Sequence, residues 1–120
     1  ALVMQEAGGA VYASLAGSGA SAVSIAVDAA EGSALPVAAL AAELAFGARL
    51  RSYRFDKYRT KQKPEDKPAL KAATVLCRDS AKARARYAPR DRVADGVFFT
   101  RDLVSEPPNV LYPETLAAQA

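Results

Sequence analysis

The sequence predicts an α/β fold, with helices flanking a small sheet, from three observations. Two short apolar runs, residues 22–27 and 69–77, are bounded by turn-forming residues and are typical of buried strands. An alanine-rich helical pattern at residues 37–53 separates them, and helices punctuated by prolines follow the second run. Because sheets usually contain about four to six strands, these two predict an incomplete sheet, which upstream strands or another copy would complete.

The two helical patterns before the second strand differ in strength. Residues 5–17 form the weaker one, because Gly8 and Gly9 each disfavour a helix interior by roughly 0.5–1 kcal/mol relative to alanine. Residues 37–53 form the stronger one, which begins just after Pro36. Its many small side chains predict a largely buried helix that approaches a sheet closely, with Glu43 and the arginines at its solvent-exposed edge.

Proline and serine positions divide the C-terminal third. Ser80 is a typical N-cap residue and predicts the start of a long helix. Pro89 is expected to break or kink that helix, because proline lacks the amide N–H that an interior helical position needs. The pair Pro107-Pro108 is expected to end it, and Pro113 to open a last helix.

The residue inventory excludes several kinds of chemistry within this chain. There is no histidine, so histidine-based metal binding and Ser-His or Cys-His catalysis are ruled out. The single cysteine, Cys77, cannot form an intrachain disulfide and lies in the second apolar run, where a small core residue is the simplest interpretation. We find no uninterrupted apolar run long enough to predict a membrane span.

Charge is distributed very unevenly. Residues 1–48 carry a net −4, residues 49–101 a net +10 and residues 102–120 a net −3. The basic segment 49–71 also contains interleaved aromatic residues, which permits an alternative function as a nucleic-acid-binding module. A solvated basic loop is the competing interpretation. The basic surface that either interpretation invokes comprises Arg49, Arg51, Arg54, Lys57, Arg59, Lys61 and Lys63.

Two motifs stand out, at residues 53–58 and 101–109. The first, Tyr-Arg-Phe-Asp-Lys-Tyr, resembles the Tyr-x-Phe-Asp motif at the end of a helix in the leucine (cytosol) aminopeptidase family. Residues 101–109 resemble its inter-domain junction, where an Arg-Asp-Leu sequence leads into Glu-Pro-Pro-Asn, although Ser105 stands where asparagine is more usual. The junction residues carried over from this resemblance are Arg101, Asp102, Leu103, Glu106, Pro107, Pro108 and Asn109.

The resemblance implies a macro-domain-like N-terminal domain of a two-domain enzyme. On that basis residues 1–79 would be a partial N-terminal α/β domain, 80–106 a linker helix kinked near Pro89, and 107–120 the start of the catalytic domain. Family enzymes are cytoplasmic, usually hexameric, and release N-terminal residues, preferably leucine, from peptides with two divalent metals (zinc, manganese or magnesium). Their metal-binding and catalytic motifs lie further downstream. We therefore expect no catalytic, metal or cofactor residue here, no activity of this chain alone, and peptide binding by the catalytic domain.

Overall fold

The chain forms alternating helices and strands, as the sequence predicts. The computed structural model describes residues 1–29, 32–63 and 67–120. The elements, in chain order, are α1 (Leu2–Ala16), β1 (Ala22–Ala26), α2 (Val37–Arg51), β2 (Ala72–Leu76), α3 (Ser80–Ser105) and α4 (Pro113–Gln119). This order confirms the α/β class, with helices flanking a small sheet.

β1 and β2 are paired in parallel, and α2 makes the connection between them. The register runs from Ala22 opposite Ala72 to Ala26 opposite Leu76. Among the described residues the sheet has these two strands only. The prediction that both strands are buried was wrong: Val23, Ile25 and Val75 are half-buried, and the other strand positions are exposed. A strand is buried only where other strands or helices pack around it. A sheet of two strands is too narrow for both of its faces to be covered in this way.

The core is centred on α2, which confirms the predicted burial of that helix. Six of its buried residues are apolar, and five of these are alanines; they are Ala38, Ala39, Ala41, Ala42, Leu44 and Ala48. Ala94 of α3 is fully buried beside them. The helix layer has Leu44 as its one large buried apolar side chain among the described residues, so the close approach of backbones must supply much of the packing.

α1 and α2 approach so closely that glycine is required on both helices. A Cβ atom at Gly47 would lie 2.7 Å from the Cα of Gln5. A Cβ at Gly8 would lie 3.0 Å from the backbone nitrogen of Ala48 and would overlap the carbonyl group of Leu44. Gly8 weakens α1 as an isolated helix, but it allows α1 to pack on α2. This contact explains why a glycine-containing segment is helical, since tertiary packing outweighs intrinsic propensity.

α3 is continuous over 26 residues, with Pro89 inside it. Pro89 therefore does not break the helix, while a kink there remains a prediction. The side chain of Arg90 donates a hydrogen bond of 2.9 Å to the carbonyl of Arg86, one turn earlier. The N-cap is Asp79 rather than the predicted Ser80, because the Asp79 carboxylate accepts the backbone N–H of Lys82 at 3.2 Å.

Within the described ranges, none of the helices combines the length and apolar character needed to cross a membrane.

Candidate functional site

The two motifs, separated by about 45 residues in sequence, meet in the structure. Tyr53 follows the C-terminus of α2 and its hydroxyl donates a hydrogen bond of 2.8 Å to the Asp102 carboxylate on α3. The guanidinium of Arg101 lies 4.1 Å from the centre of the Tyr53 ring, which is within cation–π distance. The ring of Phe98 also packs against the Tyr53 ring, with centroids 5.2 Å apart. Tyr53 is therefore held by α3 through both its ring and its hydroxyl.

A second contact between the motifs is centred on Glu106, at the exit of α3. Its carboxylate accepts a hydrogen bond of 2.5 Å from the Lys57 ammonium and another from the Tyr58 hydroxyl. The Glu106 side chain is 8% exposed and the Lys57 side chain 58% exposed, so the pair lies at the protein surface with its acidic partner covered. We call the contacts of Glu106 with Lys57 and Tyr58 the junction clamp.

The clamp shifts the proton affinity of all three groups. The hydrogen bonds from Lys57 and then Tyr58 lower the pKa of Glu106, because they stabilise its charged form. The same contact raises the pKa of Lys57 and that of Tyr58. At neutral pH Glu106 is therefore ionised and both donors retain their protons. Every member of the clamp is in the protonation state that the contact requires.

Pro107 explains the backbone conformation that allows Glu106 to contact Lys57 and Tyr58. A residue before proline is disfavoured in the helical conformation, and Glu106 is extended, with φ −71° and ψ 138°. α3 therefore ends at Ser105. The Pro107 carbonyl then accepts the N–H groups of Val110 and Leu111 at 2.9 and 3.0 Å, which closes the turn.

Other predicted junction residues contribute less directly to the turn. Asn109 is exposed, and its side chain makes no hydrogen bond within the described part of the chain. Leu103 is half-buried and Pro108 is exposed. α4 is oriented by Thr115, whose hydroxyl accepts the Tyr112 N–H at 2.9 Å and donates to the Val110 carbonyl at 2.9 Å. The start of α4 is thus fastened to the turn.

Arg49 extends the contact between α2 and α3 toward the middle of the helices. Its guanidinium lies 3.4 Å from Asp91 and 3.1 Å from Asp95, and also 4.7 Å from the centre of the Phe98 ring. Tyr87 donates a hydrogen bond of 2.9 Å to Asp91. Burial, and then the Asp91 contact, raise the pKa of Tyr87 to about 12. The positive charge of Arg49 thus compensates the negative charges of Asp91 and Asp95 between α2 and α3.

Sequence reasoning missed a further polar contact, which joins three helices. Glu43, expected at the solvent-exposed edge of α2, is only 3% exposed. Its carboxylate accepts a hydrogen bond of 2.6 Å from the Gln5 amide of α1 and another from the Arg90 guanidinium of α3. The one available signal was that Glu43 is the only acid in α2. Sequence spacing alone does not reveal that Gln5 and Arg90 come together around it.

The predicted basic surface is divided by these contacts. Arg49 and Lys57 pair with α3 or its exit, and Arg54 pairs with Asp56 at 3.0 Å. The remaining residues, Arg51, Arg59, Lys61 and Lys63, are exposed. Residues 64–66 of the basic segment lie outside the described ranges. Arg49, Arg54 and Lys57 are therefore paired with carboxylates in the folded protein, which makes them less available for binding phosphate. Nucleic-acid binding itself remains a prediction.

Within 1–29, 32–63 and 67–120, no three histidine, cysteine, aspartate or glutamate side chains form a group that could hold a metal ion. Asp91 and Asp95 of α3 both pair with Arg49 of α2, at 3.4 and 3.1 Å. The contacts between the two motifs join the residues that follow α2 to the C-terminal end of α3.

Comparison with known proteins decides the family. The sequence pattern of the cytosol aminopeptidase family, N-terminal domain, matches residues 3–62. The chain belongs to the cytosol aminopeptidase family. It is 51% identical over 80 residues to a probable cytosol aminopeptidase of Caulobacter vibrioides, covering 67% of this chain and 16% of the relative. It is 44% identical over 112 residues to one from Rhodopseudomonas palustris, covering 93% of this chain and 22% of the relative.

The similarity within the cytosol aminopeptidase family reaches the junction. A protein of the same name from Gluconobacter oxydans is 57% identical over 75 residues, or 62% of this chain and 15% of that relative. An alignment that covers 93% of the chain leaves out only its ends, so it includes both motifs. The chain spans about a fifth of the length of these relatives. The resemblance read from the two motifs is confirmed.

We expect Glu106→Gln to lower the pKa of Tyr58 toward its ordinary value of 10.0, because the variant removes the negative charge that opposes tyrosinate formation. The titration is followed by NMR of the tyrosine rings in the 120-residue protein. Glu114→Gln is the matched control, since Glu114 lies in the first turn of α4. A Tyr58 titration that is identical in all three proteins would show that the clamp does not form in solution.

Proposed function

We propose that this chain is the non-catalytic N-terminal portion of a metal-dependent leucyl aminopeptidase. Its role in the parent enzyme is to hold the catalytic domain in a fixed orientation and to contribute contacts for oligomer assembly. The observation that carries this proposal is the meeting of the two motifs, through Tyr53 with Asp102 and through Lys57 and Tyr58 with Glu106. The names of the relatives support a cytosolic peptidase as the parent.

A fixed exit direction favours this role over that of a flexible linker. Two consecutive prolines restrict the backbone after α3, and the clamp holds the residue that precedes them. A glycine- and serine-rich linker would instead sample many orientations of the following domain. Active sites require their groups to be held within about 0.5 Å of the productive geometry, so a stiff connection is useful where domains share a site or an oligomer interface.

The proposed chemistry belongs to residues outside this chain. In the parent enzyme two divalent cations (zinc, manganese or magnesium) would activate water for hydrolysis of the peptide bond. The described residues provide no ligand set for such ions. The peptide substrate would therefore bind to the catalytic domain, and the proposed assembly is a homo-oligomer, most simply the hexamer that the family resemblance implies.

Activity of the pure proteins tests the catalytic half of the proposal. We expect the 120-residue protein to show no hydrolysis of leucine p-nitroanilide with added Mn²⁺, because no described group of residues holds the metal. The full-length enzyme that contains this region is expected to hydrolyse the same substrate. Hydrolysis by the short protein, or an inactive full-length protein after loading with Mn²⁺ and Zn²⁺, would contradict the proposal.

The oligomeric state of the full-length enzyme tests the part of the proposal that concerns assembly. In the full-length enzyme, Lys57→Met is expected to lower the fraction of the largest oligomer at micromolar concentration, because the clamp that orients the domains loses its charged donor. Sedimentation velocity measures this fraction. Lys61→Met is the matched control, a lysine nearby in the chain that is also exposed. Equal oligomer distributions in both variants would mean that the clamp does not influence assembly.

A further inference from the structure

In the C-terminal half of α3 the charged residues face the domain that contains the helix, and the uncharged residues face outward. Between residues 93 and 104 the charged residues are Asp95, Arg101 and Asp102. Asp95 pairs with Arg49, Asp102 accepts the Tyr53 hydroxyl, and Arg101 lies over the Tyr53 ring. All three charged side chains therefore contact Arg49 of α2 or Tyr53 just after it, so they lie on the side of α3 that faces its own domain.

The opposite side of the same helical segment is uncharged and open. Val93, Gly96, Thr100 and Val104 recur at spacings of three and four residues and so lie on one face. Val93 is 56% exposed and Val104 is 82% exposed. Gly96 and Thr100 are also exposed, and a Cβ atom at Gly96 would meet nothing within 4 Å. We call these four residues the outer face of α3.

A helix on the surface of a finished protein normally shows the reverse arrangement, with its charges in water and its apolar side chains in the core. Exposed valines that form one face, next to a glycine that permits close backbone approach, are typical of a surface that another element covers. The absence of charge from the outer face argues against an electrostatic partner such as nucleic acid, because phosphate binding requires lysine or arginine.

We infer that the outer face of α3 packs against the polypeptide that follows α4 in the full-length aminopeptidase, an inference that rests on the proposed function. Residues 3–62 match an N-terminal domain, so most of the remaining four-fifths of the relatives follows it. The chain turns at Pro107 and enters α4 immediately beyond this face. Two large side chains at α4 are also uncovered, since Tyr112 is 48% and Leu116 43% exposed.

Thiol labelling tests the inference. Val104→Cys is introduced into the full-length enzyme, and its modification by a maleimide is followed by peptide mass spectrometry, in native buffer and after unfolding in urea. We expect labelling in the native enzyme to be slower than in the unfolded enzyme by about tenfold or more, as for a site closed by tertiary packing. Lys61→Cys in the exposed basic segment is the matched control and should label at nearly the same rate in both states.

The outcomes separate this inference from the proposed function. Active enzyme in which Val104→Cys labels as fast as Lys61→Cys overturns the inference and leaves the aminopeptidase assignment intact. Protection that also appears in the 120-residue protein, and that rises with its concentration, assigns the outer face to a second copy and likewise overturns the inference. Protection confined to the full-length enzyme, at every concentration, supports it. Loss of aminopeptidase activity in the unsubstituted enzyme would instead count against the proposed function.

Discussion

Gly47→Ala is expected to lower the free energy of unfolding by about 3 kcal/mol, the upper part of the usual range for overpacking a core. The added methyl group would lie 2.7 Å from the Cα of Gln5, so the backbones of α1 and α2 must separate. No rotamer change can relieve this overlap, because the obstructing atoms belong to a helix backbone. Separation of the helices would also disturb the hydrogen bond between Gln5 and Glu43. Urea denaturation followed by circular dichroism measures the change.

Gly96→Ala is the matched control for this experiment. It is the same substitution in the interior of a helix, but a Cβ there meets nothing within 4 Å. The variant is expected to be more stable than the unsubstituted 120-residue protein by about 0.5–1 kcal/mol, because alanine favours the helical conformation. If Gly47→Ala were also neutral or stabilising, the close approach of α1 and α2 would be disproved.

Arg90→Ala is expected to cost about 2–3 kcal/mol of stability. Breaking a fully buried ion pair typically costs about 3–5 kcal/mol. We expect a smaller loss here because the Arg90 side chain is one-third exposed. The loss is large because Glu43 stays buried after its charged partner has gone. Arg86→Ala, on the same helix, is the control and should change stability by no more than about 0.5 kcal/mol. Adding Glu43→Gln to Arg90→Ala should recover part of the loss.

The pH dependence of stability provides a second measurement of the same contact. The hydrogen bond from Arg90 is the main cause that lowers the pKa of Glu43 in the folded protein. A depressed folded-state pKa gives stability that is present above the unfolded pKa and is lost as the pH falls through the folded value. We therefore expect this contribution to decline below the ordinary glutamate value of 4.5. In Arg90→Ala the decline should be weaker, since burial raises the pKa.

The local signals in the sequence were sufficient for the elements and for the junction. Alternating helical and strand patterns predicted the α/β class, and the small residues of the second helix predicted its burial. The motifs at 53–58 and 101–109 identified the surfaces that later proved to be in contact, because each contains residues with a defined partner in the other. Pro107 predicted the end of α3, since proline acts on the residue just before it.

Three features depended on packing between distant segments. Glu43 is polar and lies in a helix that contains two arginines near its end, so sequence periodicity suggested a solvent position. It is buried because Gln5 and Arg90, 38 and 47 residues away, supply its hydrogen bonds. Gly8 weakened the prediction of α1, although its missing side chain allows the helix to pack. The strands, predicted to be buried, are largely exposed because the described sheet has only two of them.

By itself, the sequence determined which segments are helix or strand, that Pro107 ends α3, and that histidine chemistry is absent. These properties follow from interactions between residues a few positions apart, or from composition alone. Only the tertiary structure decided which charges are buried, which glycines face a neighbouring backbone, and that the outer face of α3 lacks a partner among the described residues. Each of these depends on which distant residues are brought within a few ångströms, where loss of hydration and contact with neighbouring atoms set the energy of a side chain.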